Sequence, residues 1–485
     1  MTLTIVGLGP GDVDDLSRRA WRTLKNAKTV HLRTAQHGCV ACLPQTETTY
    51  ISFDDLYETI DRFEDVYTAI VRRVLEAARA GDAVYAVPGD PLMGESTVVQ
   101  LLAQAKEAGI PVEIVSGISF VEPTMALLGV DAMNGLQVLD GLAVAAMHHP
   151  PINPDYPALL GQVYSRHVAS EVKLTLMNQY PEDFAVTLVH DAGTENARLE
   201  HLPLHDIDHS EHIRHTTALY LPALGGMSSF EQFQEVIAHL RAPEGCPWDR
   251  EQTHLSLRKY LIEEAYEVLE ALDNEDPRAL AEEMGDLLLQ IVLHTQIAID
   301  DGEFRMADVI SHINRKLIHR HPHVWGTTEV SGAADVLQNW DALKKQEHAA
   351  KGIQRESLLD GVPKGLPALM QANEYRRKAA KIGFDWANAD DAKVKLHEEI
   401  DEVTEAKDDL EHLREEIGDF LFMAVNWAAK LGIDDPEGAL REANAKFYRR
   451  FRHIEQSVKA SGRPAESFTL DELEAFWQEA KRQGL

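Results

Sequence analysis

Leu261–His294 reads LIEEAYEVLEALDNEDPRALAEEMGDLLLQIVLH, and Leu396–Ala428 repeats its pattern as LHEEIDEVTEAKDDLEHLREEIGDFLFMAVNWA. Glu263, Glu264, Glu267, Glu283 and Asp286 in the first stretch correspond to Glu398, Glu399, Glu402, Glu416 and Asp419 in the second. Each half is therefore E-E-x-x-E, a turn, then E-x-x-D. On helices, acids three or four residues apart share a face. Like charges so placed disfavour a helix by roughly 0.3 kcal/mol per pair, so something must offset them. A solvated surface would do so, but the flanks argue against it. Asp286 runs into Leu287-Leu288-Leu289 and Asp419 into Phe420-Leu421-Phe422-Met423. Helices apolar nearly all round are expected inside a bundle. Carboxylates at the mouth of such helices call for a neutralising cation, and an all-oxygen set suits Mg²⁺, with Mn²⁺ as the alternative.

Outward from that pair, the chain has 485 residues, enough for two to four domains. Its formal net charge of −32 disfavours nucleic-acid polymers and anionic membranes as partners. A nucleotide substrate remains compatible, because a metal and local cations invert the field within a site. No apolar run reaches the length of a membrane span, and the chain enters a strand-like LTIVGLG without a signal peptide. A cytoplasmic protein is the expectation. Three cysteines make no disulfide framework, and Cys39 and Cys42 form a single C-x-x-C without a second pair.

Residues 1–222 read as an α/β domain with a largely parallel sheet. Strands are expected at Leu3–Gly7, Thr29–Leu32, Ala83–Val87 and Val112–Val115, with helices near Ser17–Ala27, Glu64–Ala80 and Thr97–Ala108. Glycine turns follow three of the strands, and ligands of such sheets bind beyond the strands' carboxyl ends. Together, VGLGPGDVDDL, VPGDPLMGE and VSGISF resemble the tetrapyrrole methylase family of S-adenosylmethionine-dependent methyltransferases. The resemblance implies a cofactor cleft between two α/β subdomains, lined by Pro10, Gly89, Asp90 and Gly117. A second subdomain would begin near residue 124, with LTLMNQYP, FAVTLVHDAG and ALYLP as its strands. The Leu-Met-Gly-Glu after Pro91 departs from members acting on porphyrinogens, so the methyl acceptor stays open. The histidines between His148 and His215 show no metal-ligand spacing and read as loop residues.

Leu221–Ser229 carries a proline and two adjacent glycines and is the expected domain boundary. Beyond it the chain reads all-α, in two repeats over 229–350 and 367–485, separated by KGIQRESLLDGVPKGLP. The repeat continues past the acids. Asn314-x-Lys316-x-x-x-Arg320 matches Asn444-x-Lys446-x-x-x-Arg450, and Trp340-x-x-x-Lys344 matches Trp477-x-x-x-Lys481. Lysine and arginine suit phosphate oxygens, and an aromatic ring can stack on a base, although Trp477 reads equally as a core anchor.

GCPWDREQTHLSLRKYLIEEAYEVLEAL, RHPHVWG, LPALMQANEYRRKAAKIGFDW and ANAKFYRRF resemble the MazG family of nucleoside triphosphate pyrophosphohydrolases. That resemblance implies all-α units that pair as dimers and split a nucleoside triphosphate into monophosphate and pyrophosphate. The expected centre uses Glu399, Glu402, Glu416 and Asp419 for the metal, and in the first repeat Glu264, Glu267, Glu283 and Asp286. Glu398 is the candidate for orienting or deprotonating water. Lys446 and Arg450 would neutralise the leaving pyrophosphate. Trp477 and Lys481, with Lys316, Arg320, Trp340 and Lys344 in the first repeat, are the remaining nucleotide candidates. Two rival readings are a methyltransferase whose helical half serves dimerisation or nucleotide sensing, and a non-enzymatic sensor. Incubation with each triphosphate and Mg²⁺, followed by detection of pyrophosphate, discriminates them.

Overall fold

The computed structural model describes residues 2–44, 47–60, 62–350, 352 and 356–485, without the side chains of 338, 341, 345 and 348–350. Met1 and part of the separator expected between the repeats, at 351 and 353–355, lie outside the described residues. The chain forms two compact units, Met1–Ile310 and Ser311–Leu485. That division falls within a helix of the first repeat and not at the 221–229 stretch.

The first unit opens with β1 (Leu3–Gly7), α1 (Arg18–Asn26), β2 (Thr29–Leu32), β3 (Thr49–Ser52), α2 (Asp54–Thr59), α3 (Phe63–Ala80), β4 (Ala83–Val87), α4 (Ser96–Glu107) and β5 (Val112–Val115). Its strands pair in parallel in the order β3-β2-β4-β1-β5. Alternation along the strands buries both faces. Leu3, Ile5 and Tyr85 enter one apolar cluster, while Val6, Leu8 and Ala86 enter another. Ser17 caps α1 by accepting from the Ala20 amide, which turns Ala20 and Leu24 onto the sheet.

Next come α5 (Val121–Leu128), β6 (Gln137–Asp140), α6 (Gly141–Ala145), β7 (Ala158–Gly161), α7 (Arg166–Leu176), β8 (Ala185–His190), β9 (Arg198–Pro203) and β10 (Ala218–Leu221). The second sheet runs β6-β7-β10-β8-β9, and only its β6–β7 pair is parallel. Two expectations need correction here. The parallel arrangement holds for the first sheet alone. LTLMNQYP is no strand, since Leu174–Leu176 closes α7, whose buried Val168, Ala169, Val172, Thr175 and Leu176 keep helical spacing. The Ser165 hydroxyl, accepting from the Val168 amide, fixes that helix at its start.

Helices follow: α8 (Phe230–Arg241), α9 (Pro247–Glu251), α10 (His254–Asp273), α11 (Pro277–Asp300) and α12 (Met306–Arg320). Ser229 caps α8, and Asp155 accepts from the amides of Ser228 and Ser229 at 2.8 and 3.0 Å. Ile237, Leu257, Val292, Leu293, Ile297 and Met306 form an apolar cluster of their own. The second unit contains α13 (Pro322–Trp325), α14 (Ala333–Ala350), α15 (Ala368–Ala380), α16 (Ala389–Glu405), α17 (Leu410–Lys430), α18 (Pro436–Ser461) and α19 (Leu470–Arg482). The helices expected to be buried all round are buried on one face. Val292, Leu293, Met423 and Val425 are buried, whereas Leu288, Ile291, Leu421 and Phe422 are each more than a third exposed.

Candidate functional site

The hairpin of α10 and α11 gathers the first set of acids. The Asp276 side chain accepts from the amides of Arg278 and Ala279 and starts α11 at Pro277, which aims Glu283 back at α10. Carboxylate oxygens of Glu264, Glu267 and Glu283 lie within 4.8 Å of one another. Burial raises the Glu264 carboxyl above its ordinary range, followed by a hydrogen bond with Glu267 and the charge of Asp286. Glu283 is raised too, by burial first and then by Glu267 and Asp286. Asp286 is near enough for its charge to act on both, but it is not among the oxygens within 4.8 Å, unlike its counterpart Asp419. Carboxyls that each resist ionisation beside the others are the donor set a hard divalent cation would relieve. Buried Gln290 extends its amide nitrogen to 3.5 Å from Glu264, and its amide oxygen has no partner.

The hairpin of α16 and α17 does the same with Glu399, Glu416 and Asp419, whose oxygens also lie within 4.8 Å. Asp409 starts α17 as Asp276 starts α11. Half-buried Glu402 flanks the set. Burial raises its carboxyl, Lys395 opposes that, and hydrogen-bonded Glu399 and nearby Glu416 raise it again. Two basic side chains enter this cluster. Lys395 Nζ lies 2.9 Å from Glu398 and 3.1 Å from buried Glu399, and His412 Nε2 lies 3.0 Å from Glu416. Hydrogen bonds to both glutamates push the Lys395 ammonium up. Glu398 stands beside the cluster, exposed and tied to Lys395. Lys395 is absent from the expectations above, although its place four residues before Glu399 was a visible helix pair.

The basic residues divide. Arg320 donates to both carboxylate oxygens of Glu347 at 3.1 and 2.5 Å, joining α12 to α14 and holding the Glu347 carboxyl down at about 2. Arg450 donates to the main-chain oxygen of Leu485 at 2.7 Å and lies 5.4 Å from the ring centre of Trp477, which also meets Phe447 at 5.3 Å. Both arginines expected on phosphate are thus engaged within the chain. Trp477 is half-buried in that contact, and Trp340 faces His321 at 5.7 Å. Lys316 is half-buried, and Lys344, Lys446 and Lys481 are exposed.

In the first unit the three glycine turns meet. Gly9 and Gly89 exchange backbone hydrogen bonds at 3.2 and 2.8 Å, and Asp90 accepts from the Gly117 amide at 3.1 Å. A Cβ on Gly7 would stand 2.6 Å from Gly117 N and Gly89 O, and one on Gly117 would stand 2.4 Å from Gly89 O. Gly89 also has φ +65, which favours glycine. The loop after β8 closes on the same place, since a Cβ on Gly193 would lie 2.5 Å from Pro10 Cγ. Pro10, Gly89, Asp90 and Gly117 are therefore brought together at the carboxyl edge of the first sheet. Beside Pro88 opens a cleft of about 430 Å³ lined by Arg33, Thr34, Asp54, Tyr57 and Glu95. Glu95, the last residue of Leu-Met-Gly-Glu, caps α4 and pairs with Arg33 at 3.3 Å. Sequence spacing alone could not reveal that pair, because 62 residues separate its members.

Two family models match the chain: Tetrapyrrole (Corrin/Porphyrin) Methylases over residues 2–208, and the MazG nucleotide pyrophosphohydrolase domain over 252–325. YabN of Bacillus subtilis (strain 168) is 40% identical over 99% of this chain and 98% of its own length. The nucleoside triphosphate pyrophosphohydrolase/pyrophosphatase MazG of Thermotoga maritima is 42% identical over 52% of this chain and 95% of its own length. Among solved structures, uroporphyrin-III C-methyltransferase of Thermus thermophilus, complexed with S-adenosylhomocysteine, matches at 20% identity with a TM-score of 0.36. That match covers 46% of this chain and 97% of the other.

Proposed function

Because the chain belongs to the family that fuses a tetrapyrrole methylase domain to a MazG nucleotide pyrophosphohydrolase region, with YabN of Bacillus subtilis as a member, we propose that it hydrolyses nucleoside triphosphates to monophosphate and pyrophosphate. The observation that supports this most is the pair of carboxylate clusters at matching positions of two helical hairpins, each with ligand atoms within 4.8 Å. Their donor chemistry fits Mg²⁺ or Mn²⁺, which when bound would screen the triphosphate and make water more acidic. Glu399, Glu402, Glu416 and Asp419 would hold the ion in the working repeat. Glu398 would orient and deprotonate the attacking water, which requires Lys395 to release it. Lys446 and Lys481 would meet phosphate oxygens. Arg450 and Trp477 would act mainly as positioning residues, fixing α19 against α18 so that Lys481 faces the substrate.

Metal dependence is the direct test. Pyrophosphate release should vanish with a chelator and return with Mg²⁺ or Mn²⁺. Ca²⁺, whose looser coordination misplaces groups around it, should restore it only in part. Full turnover in metal-free buffer would refute the mechanism.

The glycines let the three turns close on one another, with open space at Gly89, and the arrangement fits S-adenosylmethionine as a second bound molecule held by Pro10, Gly89, Asp90 and Gly117. Methyl transfer from it is the second reading, supported by the cradle alone. The apolar residues left exposed on α11 and α17 favour a homodimer, which light scattering would detect as a mass near twice 54.2 kDa.

We also place the domain limits at 1–222, 229–350 and 367–485. The apolar cluster of the first repeat uses residues from Phe230 onward, so Ser229–Leu485 should fold when expressed alone. A helical circular dichroism spectrum with a cooperative melt is expected. An insoluble or unfolded product would move the boundary into the first compact unit.

A further inference from the structure

The two acid clusters share two matching carboxylates, Glu264 with Glu399 and Glu283 with Glu416, differ in the third, Glu267 against Asp419, and keep different company. In the second, Lys395 bridges Glu398 and Glu399, and His412 sits on Glu416. The matching position to Lys395 in the first repeat is Tyr260, which turns its ring edge to Trp248 at 6.2 Å between centroids. The position matching His412 is Ala279. The groups acting most strongly on Glu264 and Glu283 are carboxylates in every case: Glu263, Glu267, Glu270, Glu282 and Asp286. A further difference points to a ligand. Gln290, 5% exposed, reaches Glu264 with its amide nitrogen at 3.5 Å, while its buried amide oxygen has no partner. An orphaned amide oxygen beside clustered carboxylates is a costly arrangement unless a cation joins them. The second repeat has buried Met423 at that position.

We propose that the first repeat, Glu264, Glu267 and Glu283 with Gln290 as its positioning residue, holds a divalent cation before any nucleotide arrives, whereas in the second repeat Lys395 occupies the cation's place and must leave before one binds. The inference rests on the cation-dependent reading above and adds an order of loading to it. Among the described residues no ion pair reaches the first cluster, whereas the second carries a positive charge of its own. An incoming ion gains the full attraction of the first. In the second it must compete with an ammonium already within 3.1 Å of Glu399.

Electron paramagnetic resonance of Mn²⁺, titrated into the full-length chain stripped of metal and free of nucleotide, tests this without reference to turnover. One tight Mn²⁺ per chain is expected. E264Q/E283Q should weaken it at least tenfold, and E399Q/E416Q should leave it intact. K395M should add a second Mn²⁺ of comparable affinity. Q290M, which installs the side chain found in the second repeat, should weaken the first site several-fold with an unchanged circular dichroism melt. It therefore serves even if the double variants fold poorly. Loss of the tight ion in E399Q/E416Q with retention in E264Q/E283Q would overturn the proposal, as would two equal sites in the unaltered chain. No Mn²⁺ binding without nucleotide, alongside chelator-sensitive hydrolysis, would overturn the proposal and leave the proposed activity standing. No binding together with metal-independent hydrolysis would overturn both.

Discussion

Glu402→Gln combined with Asp419→Asn should lower kcat for pyrophosphate release by about a thousandfold, while Glu267→Gln with Asp286→Asn should leave most of it. The first change removes two of the four carboxylates proposed to hold the working cation. A bound ion's contribution to stabilising charge in phosphoryl chemistry is several kcal/mol, and about 4 kcal/mol corresponds to a thousandfold in rate. Residue content does not rank the repeats, but the basic helices do. The second repeat's α18 runs 26 residues, through Arg449 and Arg450 without a break. The first repeat's α12 runs 15 and stops at Arg320, because Pro322 cannot continue it and begins the short α13 instead. The helix presenting Lys446 is therefore the longer scaffold for a polyphosphate. Circular dichroism must show both double variants folded. Equal losses would mean two working centres or a shared one, and loss confined to the first-repeat variant would reverse the ranking.

Gly117→Ala should abolish measurable S-adenosylmethionine binding and lower the thermal stability of the methylase-like half, with pyrophosphate release nearly unchanged. The added Cβ would stand 2.4 Å from the Gly89 carbonyl oxygen and 3.0 Å from the Gly7 backbone. Those neighbours are main chain, so no rotamer change relieves the overlap. Overpacking a close-packed site costs roughly 1–3 kcal/mol, and the rigid partner puts this case at or above the upper end. Spreading the turns also moves Asp90, which accepts from the Gly117 amide. Calorimetric titration with S-adenosylmethionine, beside a melting curve, reads both effects. Unaltered affinity in Gly117→Ala would remove the cradle from the cofactor site.

Most of this arrangement was legible before the structure, and each miss has its own physical cause. The acid hairpins announced themselves because helix periodicity is local, so Glu264, Glu267 and Glu283 converge once α10 and α11 form. The glycine turns converge for a similar reason, since parallel strands bring all their carboxyl ends to one edge. LTLMNQYP misled because a short apolar run has no period of its own; Ser165, nine residues earlier, settles it by capping a helix. Arg320 and Arg450 read as phosphate ligands because spacing shows which residues share a face and not what lies across from it. Glu347 and the Trp477–Leu485 pair are those partners, each 27 or more residues away. The exposed faces of α11 and α17 escaped for the opposite reason, because hydropathy cannot say whether the covering surface belongs to the same chain.

The latch that joins α12 to α14 answers to acid. Arg320 is held by a carboxylate, Glu347, which is depressed to about 2. A depressed carboxyl contributes stability that is fully present above its unfolded value, ordinarily about 4.3, and fades as pH falls toward the folded one. Between pH 4 and 2 the tie from α12 to α14 should therefore slacken. Limited proteolysis by pepsin should cut near α14 more readily as pH falls across that window, and a chain carrying Glu347→Gln should show the same cut at higher pH with a protease suited to it.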